Sequence, residues 1–334
     1  MRRLLNEVVR RELLKHLTLT EVVAGSCGTH FTKQYMFEDD TTFDPLAHAS
    51  DSGSGEVVTD PIDPKSDCVL SFSNGDGHGK LEWPHFSLPA GFTCPLATTC
   101  KTFAAEPGPN GKKFSDGSSL LQGKEAEFRC YAARAQSQYP AAYKSSHRNL
   151  DLLIGAKKEG GVEAMKDLLV NSIAHHGLSG KKLVRVHEGG DFFSNEYFLA
   201  WMEAAKEFPN ILFYAYTTSL PFWLNNKGSV PPNFKLVASM DKNNAKTIID
   251  NNLRYSVVVY SVEKAKELGL KIDVDDTLAW DSDESFALLL HGGQPKGSEA
   301  AAARTKNTKD GSYDKIKQAY QNNRGKKLDR LSSL

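Results

Sequence analysis

The chain has 334 residues, with 41 Lys plus Arg against 41 Asp plus Glu, so its formal net charge is zero. Its 40% apolar and 25% charged fractions are those of a soluble globular protein, long enough for one large α/β domain or one domain with an extension. A neutral balance supplies no global field to draw the chain to nucleic acid or anionic lipid, and no apolar run approaches the ~20 residues of a membrane helix.

Residues 3–16 carry Leu4, Leu5, Val8, Val9, Leu13 and Leu14 in a helical rhythm, which predicts an opening amphipathic helix. Charged residues interrupt that stretch, so it lacks the apolar core of a signal peptide and a cytoplasmic location is expected. The segment "FEDDTTFDPLAHASDSGSGEVVTDPIDPKSD" is acidic and rich in Ser, Gly and Pro, and reads as a solvated loop.

Next comes "AGFTCPLATTCKTFA", with Cys94 and Cys100, and later "EFRCYAARA", with Cys130. In a reducing compartment clustered cysteines bind metal or do redox chemistry more often than they form structural disulfides. Three thiolates can hold three irons of a four-iron, four-sulfur cluster and leave the fourth iron open. Zinc, with His85 or His187 as fourth ligand, is the alternative metal; three half-buried free thiols are the plain alternative.

From Leu183 onward the pattern is regular. "KLVRVH" (182–187), "ILFYAYT" (211–217), "FKLVASM" (234–240), "YSVVVYSV" (255–262) and "SFALLLHG" (285–292) are short apolar, β-branched or aromatic runs, as buried strands are. Helical patterns fill the gaps at 194–207, started by Ser194, and at 242–252 and 262–269. Alternation of this kind implies crossovers and a parallel sheet. Beyond it the polar, basic "AAAARTKNTKDGSYDKIKQAYQNNRGKKLDR" reads as an exposed helix and tail.

Ligands of parallel sheets gather at the carboxyl ends of the strands. His187, Glu188, Gly189, Gly190 and Asp191 follow the first strand, Thr217, Thr218 and Ser219 the second, Ser239 and Asp241 the third, and His291, Gln294, Lys296 and Ser298 the last. Four polar strand ends favour one shared pocket, with His187, Gly189, Gly190, Asp191, Ser239 and His291 as its expected lining. Two adjacent glycines admit a ligand close to the main chain, and Asp191 offers a carboxylate to an ammonium group. Alternatively, Asp191 caps the helix that begins near Ser194. His175 and His176 sit near a helix end closed by Gly177, where a histidine suits the C-terminal dipole. No glycine-rich phosphate loop or nucleophile elbow is present.

The segments "FSLPAGFTCPLATTC", "FRCYAARAQSQYPAAYKSSHRNLDLL", "VRVHEGGDFFSNEYFLAWMEAAKEFPNILFYAYTTSLPFW" and "FALLLHGGQPKGSEA" together resemble the gene product 88 family of bacteriophage and bacterial proteins. The resemblance runs from about Gly79 to about Arg304. It implies three parts: an N-terminal extension (1–78), a cysteine-bearing α/β domain (79–304) and a polar basic tail (305–334). The plan is in turn similar to three-cysteine radical S-adenosylmethionine (SAM) proteins, in which a glycine turn after a strand binds the SAM amino group. Gly189, Gly190 and Asp191 would be that turn, although Asp replaces Glu and the cysteine spacing is much wider. The expected fold is therefore a partial parallel (β/α) barrel with an N-terminal extension. The expected function is that of an iron–sulfur protein with a radical SAM-like activity on an unidentified small molecule. The alternative is a non-catalytic module, stabilised by a cluster or zinc, that binds a phage or host protein.

Overall fold

The structure, a computed structural model, describes residues 68–75, 83–109, 111, 113–114 and 117–322. The helix expected at 3–16, the acidic segment before Asp67 and the end of the basic tail lie outside the described residues. The described chain opens with β1 (Phe72–Ser73), β2 (His85–Phe86), β3 (Thr102–Ala104), β4 (Leu120–Gln122), α1 (Tyr131–Gln138) and α2 (Pro140–His175). Strand and helix then alternate through β5 (Leu183–Val186), α3 (Asn195–Lys206), β6 (Leu212–Thr217), α4 (Leu220–Asn225) and β7 (Phe234–Met240). The series continues with α5 (Ala245–Asp250), β8 (Tyr255–Val259), α6 (Val262–Glu267), β9 (Ile272–Asp273), α7 (Thr277–Asp281) and β10 (Phe286–Leu289), and closes with α8 (Glu299–Lys309) and α9 (Ser312–Gln321).

Eight strands form one sheet in the order β1-β2-β5-β6-β7-β8-β10-β9, parallel throughout except for β1 against β2. β3 and β4 make a separate antiparallel pair. From β5 to β8 each strand lies beside its predecessor, so every crossover helix returns to the same face. On that face Val184, Val186, Phe213 and Ala215 pack against Leu153, Met165, Leu169 and Ile173 of α2 and Phe198, Trp201 and Met202 of α3. The other face carries Leu183, Tyr214, Val237 and Phe286, covered by Trp83 and by Ala279 and Trp280 of α7. Burial on both faces is why the strands read as unbroken apolar runs.

Local signals set the ends of elements. The Ser194 hydroxyl accepts the Tyr197 N–H at 3.2 Å and caps α3. Gly177, at φ 63°, turns the chain out of α2. Inside α2, Gly160 and Gly161 leave helical geometry and break it into two segments, which lets both lie against one curved core.

Leu70 is fully buried and its N–H donates to Ser172 Oγ at 2.8 Å, so packed structure extends ahead of residue 79. The expected boundary at 304 falls inside α8, whose Ala300 and Asn307 are buried. Among the described residues the mixed α/β fold has one mostly parallel sheet of eight strands, with β1 and β9 outermost and no closure into a full barrel.

Candidate functional site

Residues 88–138 form a cap on the carboxyl ends of the strands, and the sequence explains how it is fastened. The Leu88 N–H donates to Gly189 O at 2.8 Å, and the Tyr131 hydroxyl donates to Glu188 O at 2.7 Å, both just after β5. After β7, Asp241 Oδ2 accepts from the Thr98 hydroxyl at 2.6 Å. After β10, Gln294 Oε1 accepts the Arg129 N–H at 2.8 Å. Within the cap, the buried Gln136 amide bridges the Ala90 N–H and Leu88 O, both at 2.9 Å. Thr98 and Arg129 each neighbour a cysteine by one or two residues, so the strand ends grip the segments that carry the thiols.

Cys94, Cys100 and Cys130 are free thiols, each half-buried as a whole residue. Burial pushes all three thiols above their ordinary range. They are near enough to act on one another: the negative charges that Asp191, Cys100 and Cys130 would present raise Cys94 further, and Cys130, Asp191 and Asp241 raise Cys100. The Cys130 residue is the N-cap of α1, and the amides of Ala133 and Ala132 pull its thiol back down. Cys68 is disulfide-bonded, against the expectation for a reducing compartment, and its sulfur is not part of the group. Among the described residues no group of three or more His, Cys, Asp or Glu side chains is set to hold a single metal ion.

The glycine turn lies against the cap, and the cap itself fills the space above it. A Cβ on Gly190, at φ 87°, would come within 2.5 Å of Thr93 Oγ1 and 2.7 Å of Leu88 Cβ. A Cβ on Gly189 would stand 3.1 Å from Ala132 Cβ. These glycines therefore admit the cysteine-bearing loop and helix to the main chain. Asp191, buried, does neither of the two things its position suggested. Ser194 caps α3, while Asp191 Oδ1 accepts from the Phe192 N–H (2.7 Å) and the Thr217 hydroxyl (2.6 Å). Its Oδ2 accepts from the Thr218 N–H and hydroxyl, both at 2.8 Å. Four bonds use the four lone-pair directions of a carboxylate, so Asp191 ties the end of β5 to the end of β6. Burial raises its pKa although these bonds oppose the rise.

The remaining expected residues divide. His291 stacks on Tyr131, the neighbour of Cys130, with ring centroids 5.3 Å apart, and its Nδ1 lies 3.1 Å from Leu289 O. Ser239 is half-buried on β7, where its carbonyl accepts from Asn244 Nδ2 at 2.8 Å. His187 is a correction. Strand alternation would place it beside Arg185, but its φ of 65° breaks the alternation. The ring lies in the core instead, with Nε2 3.0 Å from the Tyr197 hydroxyl and Phe192 edge-on at 4.7 Å. Burial holds its pKa down at about 3, so the ring is neutral and does not line the crevice. His85 is also buried, with Nδ1 3.4 Å from Trp83 O.

Two features were missed in the sequence. One is the set of cap fasteners, above all Gln136 and Thr98, which nothing local distinguishes. The other is Arg185, a charge in the middle of "KLVRVH", where an apolar strand should have drawn notice; it forms a 2.6 Å ion pair with Asp276.

No helix among the described residues is long and apolar enough to cross a membrane. No solved structure matches the chain. The Gene 88 protein of Mycobacterium phage D29 is similar, 29% identical over 89 residues, which is 26% of this chain and 37% of that protein. The chain thus matches little more than a third of that relative's length. The family described as Gene product 88 matches residues 68–310, the span from just ahead of β1 through α8, which includes the sheet and its cap. The chain belongs to the gene product 88 family.

Proposed function

We propose that Cys94, Cys100 and Cys130 hold an iron–sulfur cluster of the four-iron type, as a phage-type protein with radical SAM-like chemistry on a small molecule would require. The observation that carries the reading is the nearness of three thiols from separate chain positions: Cys100 and Cys130 both raise the pKa of Cys94, and Cys130 raises that of Cys100. The donor set suits the group. Thiolates are soft ligands, and buried thiols that resist ionisation alone would ionise readily against iron. A polynuclear cluster binds each thiolate through a different iron, which suits a looser gathering.

A bound cluster would supply one-electron chemistry at the iron that no cysteine ligates. The chain's own residues would exclude water by burial and stabilise the Cys130 thiolate through the amides of α1. The turn at Gly189–Asp191, against which the cap is packed, would hold the cysteine-bearing segments in place, with Asp191 acting through the strand ends it ties together. Anaerobic purification followed by iron, acid-labile sulfide and zinc analysis tests the reading. About four irons and four sulfides per chain, lost in Cys100→Ser, support it; zinc, or no metal, overturns it.

One observation favours a second reading, a non-catalytic binding module with a structural cluster. Every lone-pair direction of Asp191 is taken inside the protein, so its carboxylate has nothing left for an ammonium group. Titration of SAM into the cluster-loaded protein separates the two. Saturable binding supports the enzyme, and its absence with intact iron supports the module.

A further inference from the structure

On the sheet face opposite α2 and α3 lies a polar network that takes no part in fastening Cys94 or Cys100. Arg185, 8% exposed, donates from Nη1 to Asp276 Oδ2 at 2.6 Å and from Nη2 to the Tyr131 hydroxyl at 2.8 Å. Its guanidinium stands 5.1 Å from the centre of the Tyr216 ring. Asp276 also accepts from the hydroxyls of Tyr214 (3.0 Å) and Tyr216 (3.4 Å). Tyr214 in turn accepts the Trp83 indole N–H at 2.8 Å.

Three buried polar atoms along this network have no hydrogen-bond partner: Arg185 Nε, Thr277 Oγ1 and Trp280 Nε1. Thr277 follows Asp276 directly, and Trp280 packs edge-on to Trp83 at 6.0 Å. Arginine and tryptophan nitrogens only donate, and a hydroxyl can donate. Leaving a buried donor unpaired is costly, and here one belongs to Arg185 itself, one to the residue next to Asp276 and one to the packing partner of Trp83. The Asp276 carboxylate takes a single guanidinium N–H where a two-bond fork is available. Asp276 also holds φ at 63°, in the left-handed region that a non-glycine residue rarely adopts.

We propose that this network is a binding site for a small oxyanion, a carboxylate or phosphate group, and that Asp276 is its internal stand-in. The ligand's oxygens replace the Asp276 carboxylate on Arg185, use the idle Nε–H, and draw Thr277 and Trp280 onto the remaining acceptor positions. Because the unpaired atoms are occluded, the aspartate must leave before the ligand enters. The wild-type chain then binds weakly, and loss of the aspartate's charge opens the site. This inference is independent of whether the thiols hold a cluster.

Equilibrium dialysis of the full chain against radiolabelled inorganic phosphate tests it. Asp276→Asn should bind phosphate at least about tenfold tighter than wild type, and adding Arg185→Lys should abolish that binding. Thr277→Val in the Asp276→Asn background should weaken binding without lowering the unfolding temperature, because a methyl group replaces an unpaired hydroxyl. Displacement of the label by acetate at comparable concentration identifies a carboxylate ligand, and failure to displace identifies a phosphate. Binding no tighter in Asp276→Asn than in wild type, or binding that survives Arg185→Lys, overturns the proposal. If the lysine variant does not fold, unchanged phosphate affinity in the valine variant overturns it alone.

Discussion

The body of the sheet and the cap above it are held by different forces. In the body the largest fully buried side chains (Trp201, Tyr197, Phe198, Phe213 and Phe192 among them) interlock in one continuous cluster. Among the described residues the cap has two small apolar groups of its own, Ala90 with Ala132 and Ala133, and Phe103 with Ala105 and Phe114, and sends Leu88 into the main cluster. Its attachment runs through hydrogen bonds to Glu188, Gly189, Asp241 and Gln294. A region with so little apolar burial needs another source of order, and small folds commonly take it from a disulfide or a metal. The contrast teaches that the thiols sit where burial alone is weakest.

Substitutions should separate the two regions. Trp201→Ala removes the largest side chain of the body and should cost about 3–5 kcal/mol of global stability in chemical denaturation. Asp191→Ala, at the junction, strands two backbone N–H groups and two hydroxyls and should cost about 3 kcal/mol. Hydrogen exchange should show that loss first at 188–192 and 217–219. Gly190→Ala forces a Cβ against Thr93 and Leu88 and should cost about 2 kcal/mol. Protease nicking within 88–130, with the sheet still protected, is the expected signature; equal exposure of both regions would erase the distinction between them.

Smaller effects sharpen the comparison. Cys100→Ser should shift metal-free stability by less than about 1 kcal/mol, yet lower the melting temperature of iron-loaded protein, measured side by side. In the metal-free chain the folded thiols hold their protons above the ordinary thiol range, whereas unfolded thiols ionise within it. Their contribution is therefore complete at neutral pH and is lost as pH rises through and beyond that range. Denaturation of the metal-free protein across alkaline pH should show the decline, and Cys100→Ser should flatten it.

How much of this could be read in the sequence depends on how local each signal is. "ILFYAYT" became β6 (Leu212–Thr217) and "FKLVASM" became β7 (Phe234–Met240), because a strand buried on both faces must be apolar along its length. Ser194 announced α3 through its own hydroxyl. The long α2 was not read beyond its His175 end, because the Gly160–Gly161 pair looks like a turn and breaks the periodicity that marks a helix. Asp191 was misjudged because its partners, Thr217 and Thr218, belong to the next strand end, and register between strands leaves no local trace. His187 follows a strand end, the position that points to the crevice, but its positive φ turns the ring into the core.

The unclosed sheet has a consequence for how copies of the chain behave in a crowded solution. An open sheet ends in unpaired backbone groups that invite a strand from another molecule. Among the described residues both outermost strands, β1 at Phe72–Ser73 and β9 at Ile272–Asp273, are only two residues long. Each gives an incoming strand almost no template, and Asp273 puts a buried acidic side chain into one of them. The sheet thereby escapes edge-to-edge aggregation by brevity, with no need for the closure that a full barrel uses to the same end.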